Sequence, residues 1–314
     1  MTFDLTPAES ARLTRMVTSL SVATAALLTI GKAAVWIIGG SVAVMASLAD
    51  SALDLLAALG TFWAVRYAAA PPDAEHRYGH GKAEAFASLL QAGLVFASAA
   101  LIGQEAVRHF TEPHRLQRAD LGVAVMALST VLTIALVTVQ TRVLRRTRSV
   151  AVTGDRAHYV ADLVSNVVAL LSVGAAGLFG LSSFDALGGV IVAAVLLWGA
   201  VDVFRKASDE LLDRELPRAA RTLIKELMTA DPRVKDVHQL RTRASGPFVH
   251  IQMHADLDPE LSLESAHKVV VEAEKRVLDA FPAADIIIHA DPRGRAEPHG
   301  GAFAEEAERR QSVS

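Results

Sequence analysis

The sequence predicts a helical membrane protein with six transmembrane helices, followed by a small α+β domain. Of its 314 residues, 52% are hydrophobic and 21% are charged, whereas soluble domains are roughly 45–50% apolar and about 25% charged. Nearly all the long apolar runs lie within 16–205, while 206–314 is mixed in composition and rich in charge. The formal net charge of −3 provides no basic field, so we expect no nucleic-acid partner.

Six apolar runs are long enough to cross a lipid bilayer, which takes about 20 mostly apolar residues. Helices of a soluble bundle would carry a polar back face, and the run 121–139 contains no charged residue. Glycine and proline pairs such as Gly39-Gly40 and Pro71-Pro72 separate the runs. The predicted spans are roughly 16–38, 41–67, 84–107, 121–141, 158–180 and 184–204.

The positions of lysine and arginine predict the orientation, because these residues concentrate in short cytoplasmic loops. With the N-terminus inside, the outer loops carry only Arg108, Arg115 and Arg118. We therefore expect a multi-pass membrane domain over 12–207 with both chain termini in the cytoplasm.

The remaining chain reads as a small cytoplasmic domain over 208–292. The element order αββαβ predicts an open sheet with helices on one face. Residues 293–314 have no apolar period, so we expect a disordered tail. The predicted elements are a helix over 217–229, strands Val234–Arg243 and Phe248–Leu257 around a turn at Ser245-Gly246-Pro247, a helix over Ser262–Phe281 and a short buried strand over Asp285–His289.

Two pairs of ionisable residues lie within the predicted spans. Asp50 and Asp54 are four residues apart in span two, and so are His158 and Asp162 in span five, which places each pair on one helix face. An aspartate at mid-membrane costs about 2.5–3.5 kcal/mol on insertion scales, so such residues indicate function. Three carboxylates and one imidazole, in a chain without cysteine, suit zinc or a similar divalent cation.

The antiparallel directions of spans two and five allow these faces to oppose each other. Counted from the outer ends, however, Asp54 and Asp162 fall at different depths, so we expect span five to be tilted or to have other boundaries. An alternative is that an aspartate only pairs with Lys32 or caps a helix. We expect Lys32 itself to extend outward to the membrane surface.

A second candidate metal site is the loop between spans two and three. Asp73, His76 and His80 provide three nitrogen or oxygen ligands on a tight segment containing Gly79 and Gly81. The alternative is a polar connecting loop.

A third candidate lies in the cytoplasmic domain. His238 is on the first predicted strand, His254 on the second, and His289 and Asp291 end the third. If they converge on one edge of the sheet, these side chains would hold two zinc ions. The alternative is that each histidine is an ordinary core or surface residue.

Taken together, these motifs resemble the cation diffusion facilitator family, and most closely its bacterial zinc/cadmium/iron branch of proton-coupled exporters. The resemblance covers about 12–292. It rests on segments that occur in the family's order, namely Asp50–Asp54, Asp73–Lys82, His158–Asp162, Asp213–Pro217 and Ile286–Pro292.

The resemblance implies a homodimer in the inner membrane, with a ferredoxin-like cytoplasmic sheet. It assigns Asp50, Asp54, His158 and Asp162 to the transport site. It assigns two further zinc sites, one to Asp73, His76 and His80 of the loop and one to His238, His254, His289 and Asp291 of the cytoplasmic domain. It also implies that His267 supports the cytoplasmic site and that Lys82 pairs with Asp213. The family pattern does not require His250. Zn²⁺ would be both cargo and a structural or regulatory ion, with Cd²⁺ or Fe²⁺ as alternative cargo.

The predicted function is proton-coupled efflux of divalent metal cations from the cytoplasm by alternating access. Protons and metal compete for the same ligands, so an inward proton flow can drive outward metal flow. A membrane-embedded metal hydrolase is disfavoured because the sequence contains neither His-Glu-x-x-His nor Gly-x-Ser-x-Gly. A passive metal channel is the nearer alternative, and transport driven uphill by a pH gradient would exclude it.

Overall fold

The computed structural model describes residues 5–39, 42–111, 120–179 and 183–295. They form two compact units, Ala8–Leu212 and Asp213 onward. In the described part of the first unit, five of six long helices contain a segment long and apolar enough to cross a membrane, and α5 is of similar length. The helices are α1 (Pro7–Gly39), α2 (Val42–Ala68), α3 (Ala83–Thr111), α4 (Asp120–Thr147), α5 (Val150–Phe179) and α6 (Ser183–Leu211).

Small residues bring α3, α5 and α6 close together. A cluster of buried side chains joins the three helices, with Ala99, Ala161 and Ala200 among its members. At Gly154 a Cβ atom would lie 2.8 Å from Ser88 Oγ, so only glycine permits this approach of α5 to α3. Such residues are typical of helix packing in membranes, where close van der Waals contact replaces the hydrophobic effect.

The helix bounds retain the predicted difference in depth. Counted from the predicted outer ends, Asp54 is 12 residues from Val42 at the start of α2, and Asp162 is 17 residues from Phe179 at the end of α5. The other end of span five differs from the prediction, because α5 begins at Val150 rather than near 158. The difference does not keep the two helix faces apart, since ligand atoms of Asp54, His158 and Asp162 lie within 4.8 Å of one another.

The second unit has the predicted αββαβ order. Its elements are α7 (Arg218–Thr229), β1 (Asp236–Ser245), β2 (Phe248–Leu257), α8 (Leu263–Ala280) and β3 (Ala284–Pro292). The sheet order is β1-β2-β3, with β1 antiparallel and β3 parallel to β2. The core includes Ile224 and Val277 of the helices and Ile251 of the central strand. Gly246 has a φ of 56°, which the predicted turn between β1 and β2 requires.

Two details of the sheet differ from expectation. The predicted short buried strand Asp285–His289 is longer, and its burial alternates because Ile286 and Ile288 pack against the core while Ile287 lies on the exposed face. The register of β1 also shifts between His238 and Arg241, where Gln239 has a φ of 47°. The predicted tail from 296 onward lies outside the described residues.

Candidate metal centres

The first candidate centre lies between α2 and α5. The Nε2 atom of His158 is 2.9 Å from Asp54 Oδ1 and 3.8 Å from Asp162 Oδ2. One ligand atom from each of these three residues lies within 4.8 Å of the other two. The structure thus brings together three of the four residues predicted for this site, drawn from two helices.

A cavity of about 340 Å³ adjoins this group, and both Asp54 and Asp162 line it. The fourth predicted residue, Asp50, lines the same cavity but lies outside the group of close ligand atoms. An ion bound beside the cavity by Asp54, His158 and Asp162 would meet carboxylate oxygens and an imidazole nitrogen, a ligand set that suits a borderline divalent cation.

Lys32 does not behave as the sequence analysis expected. It lines the cavity, and its Nζ atom donates a hydrogen bond to Ser51 Oγ over 2.7 Å. The expectation that it extends to the membrane surface is wrong, because α2 offers a polar partner within reach.

A further buried carboxylate, which the sequence analysis missed, lies one turn before His158 on α5. Asp155 Oδ2 accepts hydrogen bonds from Ser21 Oγ at 2.6 Å and from Gln140 Nε2 at 2.9 Å. The hydroxyl of Tyr159 donates to the Ser21 carbonyl at 3.2 Å. This network ties α1, α4 and α5 together beside the site. Its spacing of three residues from His158 is the signal that could have revealed it.

The second candidate centre is the loop between α2 and α3. His76 Nδ1 lies 3.3 Å from Asp73 Oδ1, and His80 Nε2 lies 3.2 Å from Asp73 Oδ2. The backbone N–H of His76, together with that of Glu75, donates to the Asp73 carboxylate and lowers its pKa. Gly79 has a φ of 79°, and this left-handed turn precedes the buried His80.

The third candidate centre is a row of histidines across the cytoplasmic sheet. His238 is directly opposite His254, and His254 is directly opposite His289, so each strand contributes one. Neighbouring rings are 5.2 and 4.8 Å apart between centroids. Asp291 lies beside the row, with its carboxylate oxygens 2.8 Å from His254 Nδ1, 3.4 Å from His238 Nε2 and 3.2 Å from His289 Nε2.

The residues around Asp291 favour the ionised form of its carboxyl group. Burial alone would raise the pKa of its carboxyl, but the hydrogen bond from His254 and the charges of the three histidines outweigh burial and lower that pKa. The carboxylate thus remains ionised at neutral pH and available to a cation. One ligand atom each from His238, His254 and Asp291 forms a group within 4.8 Å.

His289 belongs to the row but lies outside this group of close ligand atoms. Two other described histidines of this unit lie apart from the row. His267 is exposed on α8 and outside the group of close ligand atoms. His250 lies further along β2, and its Nδ1 is 3.2 Å from Asp285 Oδ2. His267 therefore stays a predicted supporting ligand rather than an observed member of the cluster.

The implied pair between Lys82 and Asp213 also stays a prediction. Within the membrane unit, Lys82 Nζ donates to the carbonyl of Leu211 at 3.2 Å. Within the cytoplasmic unit, Arg243 Nη1 lies 3.2 Å from Asp213 Oδ2.

The helices have the length and composition to span a membrane, and two half-buried carboxylates and a buried imidazole lie beside a cavity among them. These features define a metal-cation transporter rather than a soluble enzyme. Comparison with known families agrees. A sequence model of the cation efflux transmembrane domain matches residues 18–212, and a model of the cation efflux protein cytoplasmic domain matches 216–293. The chain belongs to the cation efflux family, the cation diffusion facilitators, which confirms the resemblance seen in the sequence motifs.

Individual relatives cover most of the chain. The cation-efflux pump FieF of Shewanella oneidensis is 41% identical over 278 residues, which are 88% of this chain and 94% of that protein. FieF of Serratia proteamaculans is 37% identical over 282 residues, covering 90% and 94%. A solved structure of the zinc form of CzrB matches with 29% identity and a TM-score of 0.26, covering 27% of this chain and 98% of that one.

Proposed function

We propose that this protein exports divalent transition-metal cations from the cytoplasm in exchange for protons, with zinc as the first candidate and cadmium or iron as alternatives. The observation that carries the proposal is the group formed by Asp54, His158 and Asp162 beside a cavity between membrane helices. Asp50 completes the predicted ligand set from the wall of the same cavity.

Proton exchange follows from the chemistry of these ligands. Carboxylate and imidazole bind a cation only when they are deprotonated, so a proton and a metal ion compete for each ligand. A cavity that opens alternately to the two sides then releases metal where protons are abundant and binds metal where they are scarce. Uphill transport follows without any covalent step.

The remaining parts of the proposal concern assembly and placement. We infer a homodimer in the inner membrane with both termini in the cytoplasm, supported by the match to the family's cytoplasmic domain and by the lysine and arginine bias. The loop group around Asp73 and the sheet group around Asp291 would hold further zinc ions, the second in a structural or regulatory role.

The test is zinc uptake into sealed proteoliposomes that contain the full chain under an imposed pH gradient. Asp162→Asn and Asp54→Asn should abolish uptake, because each removes a charged ligand while nearly preserving side-chain volume. Asp202→Asn is the matched control, since Asp202 lies in the same unit but pairs with Lys206 at 2.6 Å on an exposed surface. Uptake by Asp162→Asn at the rate of the Asp202 control would refute the site.

The same vesicles discriminate the mechanism. An antiporter accumulates zinc above its external concentration when only a pH gradient is applied, whereas a channel only equilibrates it. A panel containing cadmium, iron, cobalt and manganese tests the choice of cation. Zinc entry that ignores the pH gradient would contradict proton coupling.

A further inference from the structure

A lysine on the wall of the cavity proposed to bind cations calls for a physical explanation. Lys32 lies on α1, and its ammonium group is held by a hydrogen bond to Ser51 Oγ on α2. Ser51 is buried, and its carbonyl also accepts from Thr29 Oγ1 at 2.9 Å, so α1 and α2 are joined at two points here. The positive charge is thus fixed to the wall.

The charged residues that line the cavity indicate how Lys32 affects the net charge of the site. Among the described residues that line it, three are aspartates, Lys32 is the only lysine or arginine, and the remainder are uncharged. An imidazole that ligates a cation is neutral, so in the cation-bound state three carboxylates and one ammonium leave two negative charges. This charge equals that of one divalent cation with the sign reversed.

A matched charge affects release more than it affects coordination. In a site of low dielectric constant, uncompensated charge is costly, so a cavity with three negative charges would retain its cation more strongly than one with two. An exporter has to release its cation on every cycle. A fixed ammonium group lowers the affinity without occupying a ligand position, because a protonated amine does not coordinate metal.

We propose that Lys32 sets the affinity of the cavity for its cation: its fixed charge leaves the carboxylates with a net charge that balances one divalent ion and so limits how tightly the ion is held. This role rests on the proposed function, because it assumes that the cation binds at Asp54, His158 and Asp162. It differs from a purely structural role, in which Lys32 only holds α1 against α2 through Ser51.

The experiment titrates Zn²⁺ alone into the full chain in lipid nanodiscs, for the wild type, Lys32→Gln and Lys32→Arg. The binding lost in Asp162→Asn identifies the contribution of the cavity. We expect Lys32→Gln to bind zinc at the cavity at least about tenfold more tightly, which corresponds to about 1.4 kcal/mol. In proteoliposomes it should show a lower KM and a slower maximal rate, while Lys32→Arg restores values near those of the wild type.

The contrary outcomes are distinct. Unchanged or weaker zinc binding by Lys32→Gln, with cavity binding still lost in Asp162→Asn, would overturn the role of Lys32 and leave the proposed site intact. A Lys32→Arg variant that behaves like Lys32→Gln would assign the effect to packing and not to charge. Full zinc binding by Asp162→Asn would refute the cavity site and this role with it. Thermal unfolding of each variant shows whether its fold is retained.

Discussion

Replacing Asp291 with asparagine tests the cytoplasmic cluster most directly. This carboxylate is 4% exposed, and its oxygens lie within 3.4 Å of all three histidines in the row. Asparagine preserves the shape of the side chain and removes its charge. We therefore expect Asp291→Asn to weaken zinc binding at the cluster while the sheet remains folded.

The size of the effect follows from electrostatics. A carboxylate and a divalent cation 4 Å apart interact by about 8 kcal/mol at an effective dielectric constant near 20. Desolvation of the carboxylate offsets much of this energy. If about 3 kcal/mol remains, the dissociation constant rises about a hundredfold.

The assay is calorimetric titration of the full chain with zinc, comparing the number of tight sites and their affinity. Asp285→Asn is the matched control, because Asp285 lies on the same strand, is 64% exposed and pairs with His250 outside the cluster. Equal zinc stoichiometry and affinity in the two variants would refute the assignment of Asp291 as a ligand.

Two further predictions concern stability. Asp155→Ala leaves one Nε2 hydrogen of Gln140 without its acceptor, whereas Ser21 Oγ can still donate to the Val17 carbonyl at 3.2 Å. The unsatisfied donor costs about 1–3 kcal/mol, so the melting temperature of the full chain in detergent should fall by a few degrees, and an unchanged melting temperature would contradict the network. Hydrogen bonds from Arg233 lower the pKa of Asp231 from its ordinary value of 3.8 to about 2. The ionised aspartate therefore stabilises the folded state at pH values above 3.8, and this contribution is lost as the pH falls towards 2. Thermal unfolding of the wild type and Asp231→Asn should therefore differ at pH 6 and converge as the pH falls towards 2, and a constant difference would be inconsistent with this linkage.

Patterns local in the chain predicted the fold and the identity of most candidate ligands. A spacing of four residues places Asp50 with Asp54, and His158 with Asp162, on one helix face whatever the surroundings. Alternation along a strand does the same for residues of the cytoplasmic sheet, and long apolar runs reveal the helices even where their ends are misplaced by several residues.

Features that depend on a neighbouring element were beyond such patterns. The partner of Lys32 is Ser51 on another helix, and the donors to Asp155 lie on α1 and α4. The sequence around Gln239 does not predict the register shift in β1. Each depends on packing between segments far apart in the chain, which periodicity does not encode.

Metal binding at the histidine row would depend on the alignment of the three strands. Side chains of a strand alternate between its two faces, so a slip of β1 or β3 by one residue would turn its histidine towards the helices and leave an incomplete set of ligands. The irregularity at Gln239 belongs to this alignment, because it changes the register of β1 immediately after His238. Only a correctly assembled sheet presents all three imidazoles together, and an ion bound there would lock that assembly in place.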